Sequence, residues 1–254
     1  LSGKFEKMCL GFWMPAGRYD AELVNDAVEG MGFSTKILNE VICTRTNKEL
    51  MEMQKAWWKG KSMSDRIKDE TNKGHGNYCT LLCTILEGKR KPNGAVDEAA
   101  AKMTAEVLNR YLTQEKESAA KEKFVEVFTT RSWVQIRAIS GIFQDVSKKY
   151  TLNGAIKKAF GDGDTSKALQ TIDEFASQPY DYWAKKLRAA MKGMGTDDEA
   201  MRRVIISRAE IDLRDIGIVF GQRYGDGKTL NKWIKDDLGG DYEKLALAVC
   251  GLDD

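Results

Sequence analysis

Apolar residues recur along this chain at helical spacing, in three segments that can be laid over one another. They read VICTRTNKELMEMQKAWW from Val41, VFTTRSWVQIRAISGIF from Val127 and VIISRAEIDLRDIGIVF from Val204. Aligned on Arg45, Arg131 and Arg208, each carries an apolar residue five positions on (Leu50, Ile136, Leu213) and eight on (Met53, Ile139, Ile216). Twelve positions on come Trp57, Phe143 and Phe220. Such spacings place one stripe on a helix, so each segment is predicted to bury the same face. The arginines stand 86 and 77 residues apart. That period is too long for a helical hairpin, and each unit must hold several helices.

The first and third units also agree upstream. Val24, Ala27 and Val28 precede EGMG as Leu187, Ala190 and Met191 precede KGMG. Beyond the glycines, Leu38, Val41 and Ile42 match Met201, Val204 and Ile205. Gly32 and Gly195 both lie 13 residues before their arginine. Each unit closes on a further apolar helix: LLCTILEG, ALQTIDEFA and KLALAVCG. The joints fall at KRKPNGA, 89–95, and ASQPYD, 176–181. The prediction is an all-α chain of three related units, 1–90, 91–177 and 178–254, each of about five helices.

Composition narrows the function. Of 254 residues, 42% are hydrophobic, 31% are charged and three are proline, which suits a helical globular chain. A net charge of +2 from well-mixed acids and bases argues against a nucleic-acid partner. No apolar run is long enough to span a bilayer. Five cysteines (Cys9, Cys43, Cys79, Cys83 and Cys250) show no repeated pairing pattern. Cys79 and Cys83 stand four apart, but no second pair or histidine cluster accompanies them, so they read as reduced thiols rather than a zinc site. The chain begins at Leu1 without a signal-like segment, and a cytosolic compartment is expected. The single histidine, His75 in NKGHGN, removes most nucleophile–histidine enzyme templates.

Chemistry concentrates at MKGMGTDDEA, Met191 to Ala200. Thr196 followed by Glu199 reads as a capping box. Two alternating glycines, Gly193 and Gly195, are open to two readings. They form a helix C-cap beside an N-cap, or they turn successive carbonyls into one concave space. Outward carbonyls with a carboxylate from elsewhere are the hard oxygen donors that calcium takes.

MKGMGTDD, ISRAEIDL and DDLGGDYEKLALAVCG together resemble the last repeat of an annexin. YDAELVNDAVEGMG through TLLCTILEGKR resembles the second repeat and the middle unit the third, so the likeness covers almost the whole chain. It implies five-helix repeats in a right-handed superhelical arrangement, with a first repeat absent and its packing face on the last unit uncovered. The function it implies is reversible, calcium-dependent binding to anionic phospholipid membranes, phosphatidylserine among them. Such a protein is cytoplasmic, becomes peripheral on membranes when calcium rises, and has no catalysis of its own. Carried over, Met191, Gly193 and Gly195 give main-chain carbonyls to Ca2+ and Asp237 gives the carboxylate, with Asp236 its competitor. Lys192 and Thr196 are placed to touch a lipid headgroup.

The other units depart from the pattern. The first keeps Gly30 and Gly32, with Val28 before them, but has Phe33 and Ser34 where Thr and Asp are expected. Glu70 is its candidate distal acid, although alignment from LLCTILEG puts Lys73 there; Phe33 is a candidate for the lipid interface. The middle unit reads LTQEKESAAKEKF in place of the glycine loop. Its GDGDTS run, Gly161 to Ser166, reads as a helix N-terminus at Asp164 to Ser166 rather than an EF-hand begun by Asp162, since Lys167 and Asp173 break that pattern. The alternative function is a helical scaffold that has largely lost calcium binding and docks proteins or cytoskeleton.

Overall fold

The computed structural model describes residues 3–29, 33–71, 76–114, 116–193 and 195–251. Among them are sixteen α-helices and no strand. The chain opens with α1 (Gly3–Trp13). Five helices follow: α2 (Ala16–Glu29), α3 (Thr35–Ile42), α4 (Asn47–Lys55), α5 (Met63–Thr71) and α6 (Gly76–Leu86). A second five are α7 (Glu98–Gln114), α8 (Glu117–Thr130), α9 (Trp133–Ser147), α10 (Leu152–Phe160) and α11 (Asp164–Ser177). The last five are α12 (Pro179–Met191), α13 (Asp198–Arg208), α14 (Leu213–Arg223), α15 (Leu230–Asp237) and α16 (Gly240–Cys250).

The helices gather into two compact bodies. One spans residues 17–177 and holds the first and second groups of five. The other joins 178–254 to the N-terminal residues 1–16, so that α1 lies against α13 and α16. Met8 of α1 is fully buried there, and Lys4 reaches Asp198 at 2.6 Å. The chain's own first helix therefore occupies one flank of the C-terminal body.

The predicted stripe is the core. Leu50, Met53, Ile136, Ile139, Phe143, Leu213, Ile216 and Phe220 are all buried, as are the upstream sets around Val24, Leu38, Leu187 and Met201. Trp57 is the exception: it is only partly buried, and its indole N–H donates to the Lys61 carbonyl at 2.8 Å. The residue after each aligned arginine decides how the next helix starts. Thr46 caps α4 in a full capping box with Glu49, and Ser132 caps α9 through the Gln135 amide. Ala209 has no hydroxyl to offer. Helix α14 consequently begins five residues after Arg208, which holds Asp212 with two hydrogen bonds of 2.7 and 2.6 Å.

The joint at 89–95 is pinned rather than slack. Arg90 is buried with no carboxylate partner among the described residues, and burial pulls its pKa down to about 10. Its guanidinium donates to the carbonyls of Phe128 and Arg131 at 2.6 and 2.7 Å and stacks on Trp133. The end of α8 presents partial negative charge, so this cation closes the helix instead of pairing with an acid. In the GDGDTS run, Asp164 opens α11 and Ser166 is fully buried and accepts from Gln170, while Asp173, further along α11, lies in the core. That is a helix start and not an ion loop.

Asp173 generates a prediction. It is 4% exposed, and burial pushes its pKa up to about 6 from the ordinary 3.8, against the pull of a Ser140 hydrogen bond. A carboxyl with a raised folded pKa contributes fully below pH 4, and that contribution is lost as pH rises through 6. The ionised, buried form then costs about 3 kcal/mol. Asp173→Asn is expected to raise the thermal midpoint at pH 8 and to give almost no gain at pH 4. An equal gain at both pH values would show that ionisation is not the source.

Candidate functional site

Helix α12 ends where glycine takes over. Lys192 leaves helical geometry at φ −89°, ψ 116°, although its amide still donates to the Arg188 carbonyl at 2.9 Å. Gly193 and Gly195 follow at φ +134° and +90°, angles that L side chains rarely adopt. A Cβ added at either would meet nothing within 4 Å. Backbone angle, not lack of space, is what calls for glycine here. The corner is closed by the Asp197 amide, which donates to the Ala190 carbonyl at 2.8 Å.

Helix ends leave carbonyls without intrahelical donors. Asp197 satisfies that of Ala190; among the described residues no backbone donor reaches the carbonyls of Met191, Gly193 or Gly195. The Met191 side chain is 2% exposed, so this residue can offer the corner only its main-chain oxygen. Lys192 is exposed beside it.

The expected capping box at Thr196 and Glu199 is corrected by the structure. Asp197 is the N-cap of α13, and its carboxylate accepts from the Ala200 amide at 3.0 Å. Thr and Asp are both good caps, so sequence alone allowed either. The Thr196 hydroxyl is engaged elsewhere: it donates to Asp237 Oδ2 at 3.2 Å, across 41 residues of sequence. Asp237 ends α15, and its carboxylate thus lies beside the glycine corner. Nothing in the sequence signalled this direct link.

Asp236, the competitor, is committed to lysines. It accepts from Lys228 at 2.7 Å and pairs with Lys232 at 3.0 Å. These hydrogen bonds, that of Lys228 foremost, hold its carboxyl below the ordinary range. A carboxylate already facing two ammonium groups is a poor ligand for a further cation.

The first unit repeats the closure. Its Ser34 amide donates to the Ala27 carbonyl at 2.9 Å, the same seven-residue span as Asp197 to Ala190. Val28 is buried like Met191. Gly30, Gly32, Lys73 and His75, with the side chain of Glu70, lie outside the described residues. Phe33 does not project as a lipid-facing aromatic: it packs on the core and meets Tyr78 edge-on at 6.0 Å. Among the described residues of the middle unit no such corner forms. Helix α8 starts at Glu117, 14 residues before Arg131, whereas α3 and α13 start 10 residues before Arg45 and Arg208, so α8 takes up positions where the corner would form.

The donors suit a hard cation. Calcium takes six to eight oxygens from carbonyls, carboxylates and water. The α12–α13 corner and Asp237 supply oxygen alone. Among the described residues no group of three or more His, Cys, Asp or Glu could hold a metal, which is the donor set zinc or iron would require.

This architecture is that of a helical repeat protein with a carbonyl corner. The sequence model of the annexin family matches residues 19–85 and 182–249. Annexin A5 of Gallus gallus is 33% identical over 256 aligned positions, covering 100% of this chain and 77% of the relative. Among solved structures, annexin III superposes with a TM-score of 0.90 at 31% identity, covering 100% of this chain and 77% of that one. A calcium-bound annexin (Sm)1 gives 0.85 at 25% identity, with coverages of 99% and 74%. The chain belongs to the annexin family, a family of non-enzymatic proteins.

The strained glycines make a testable demand. Gly195→Ala is expected to lower unfolding free energy by about 1–2 kcal/mol, because the strain is in the backbone and no clash adds to it. Denaturant titration reads the change. A neutral result would mean that the corner adopts other angles in solution.

Proposed function

We propose that this chain binds anionic phospholipid membranes reversibly when calcium rises, as a cytoplasmic protein that becomes peripheral on the bilayer. It does so as three annexin-like repeats, 1–90, 91–177 and 178–254, with the main site in the last. The observation that carries the reading is the placement of Asp237 against the Thr196 hydroxyl, beside a corner whose glycines hold positive φ.

The carbonyls of Met191, Gly193 and Gly195 and the carboxylate of Asp237 would hold the ion. Calcium bound there would supply positive charge with open coordination positions, which a lipid phosphate oxygen can enter. Thr196 holds the Asp237 carboxylate toward the corner before any ion arrives, which lowers the cost of ordering it. Lys192, exposed on the rim, adds a charge for an anionic headgroup. A single carboxylate gives little charge compensation, so calcium affinity without membrane is weak, and lipid and calcium strengthen each other's binding by the same factor. Val28, Gly30, Gly32 and Glu70 form a second, poorer site in the first repeat, and the middle repeat adds none. Avidity on a membrane is correspondingly modest.

The test is sedimentation with phosphatidylserine-containing vesicles across a calcium titration. Wild type is expected to pellet only with calcium, and Asp237→Ala to stay in solution over the same range. Neutral-lipid vesicles should pellet neither. Calcium-independent behaviour of both proteins would favour the scaffold reading, in which the chain docks proteins or cytoskeleton.

A further inference from the structure

Helix α6 carries two thiols that the calcium corner does not use. Cys79 and Cys83 stand one helical turn apart, and their Sγ atoms are 3.9 Å from each other. Among the described residues this is the one place where two thiols meet. Cys79 faces the core, whereas Cys83 is half-buried, with its Sγ 3.8 Å from the Ser64 carbonyl on α5.

We propose that Cys79 and Cys83 form a two-thiol site for a soft monovalent ion, copper(I). Metal–sulfur bonds of about 2.3 Å would span the observed separation at an S–metal–S angle of roughly 115°. That angle is near trigonal, and it leaves one position for a small-molecule thiol from solution. Thiolate sulfur selects soft ions and has little attraction for calcium. Zinc in a protein site takes four N, O or S ligands, and no third His, Cys, Asp or Glu gathers here among the described residues. An ion content with few sulfur ligands is the one this pair fits.

On binding, two S–H bonds break, two metal–sulfur bonds form and both protons leave to solvent. Copper stays in its +1 state, so no oxidant or reductant is needed. The two thiolates exceed the ion's charge by one negative unit, and the Lys68 ammonium on α5 is close enough to act on Cys83 electrostatically. Burial holds the Cys83 thiol up at about 11, which makes it a slow target for peroxide. Metal uptake, unlike peroxide oxidation, draws its driving force from the metal–sulfur bonds themselves.

The test uses the full chain, reduced and kept free of oxygen, titrated into the coloured copper(I)–bicinchoninate complex. Wild type is expected to withdraw one copper(I) per chain, and millimolar calcium should not change that. Cys83→Ser, at a half-buried helix position, is expected to lower affinity by more than about a hundredfold while keeping its helical circular dichroism. Cys79→Ala should do the same, and Cys9→Ser should behave as wild type. The proposal is overturned if wild type withdraws no copper, or if folded Cys83→Ser withdraws as much as wild type. Displacement by calcium would overturn it too.

Discussion

The hydrogen bond from the Asp197 amide to the Ala190 carbonyl sets the geometry on which the site depends. It ties the start of one helix to the end of another across seven residues. A chain closed that tightly must reverse direction at once, which forces Gly193 and Gly195 to positive φ. The same reversal leaves neighbouring carbonyls without backbone donors among the described residues and brings Thr196 to Asp237. Ser34 to Ala27 is the same tie in the first repeat.

Elsewhere the family framework is held by buried charge that is answered locally. Arg45 meets Asp20 with two hydrogen bonds of 2.7 and 2.8 Å, Arg208 meets Asp212, and Arg90 meets the carbonyl end of α8. Breaking one partner of such a pair leaves an uncompensated charge, so these arginines fix helix positions more than they add net stability. The middle unit shows the framework without the glycine corner. Its stripe of Ile136, Ile139 and Phe143 is as deeply buried as the others, while an earlier start of α8 takes the corner's place.

Most of this was legible in the sequence because it rests on periodicity. Leu50, Ile136 and Leu213 could be aligned by spacing alone, and each is buried. The corner was legible through two glycines whose alternation has no use in a helix. What escaped was set by tertiary contact. Thr196 and Asp197 are both good caps, and only the approach of Asp237 draws the Thr196 hydroxyl away from that role. Phe33 reads in sequence as an aromatic free to meet lipid, but Tyr78, 45 residues further along the chain, packs edge-on against it. Asp236 and Asp237 differ in sequence by nothing but order; Lys228 and Lys232 separate them in space. Arg90 sat in a stretch that read as a mere joint, since its acceptors are carbonyls 38 and 41 residues away.

A crystal structure of the chain grown with calcium tests the central claim most directly. The account predicts one ion in the last repeat, with the main-chain oxygens of Met191, Gly193 and Gly195 and the carboxylate of Asp237 at about 2.3–2.6 Å. An ion held by Asp236, or a corner that stays empty at saturating calcium while Asp237 keeps its bond to Thr196, would contradict it.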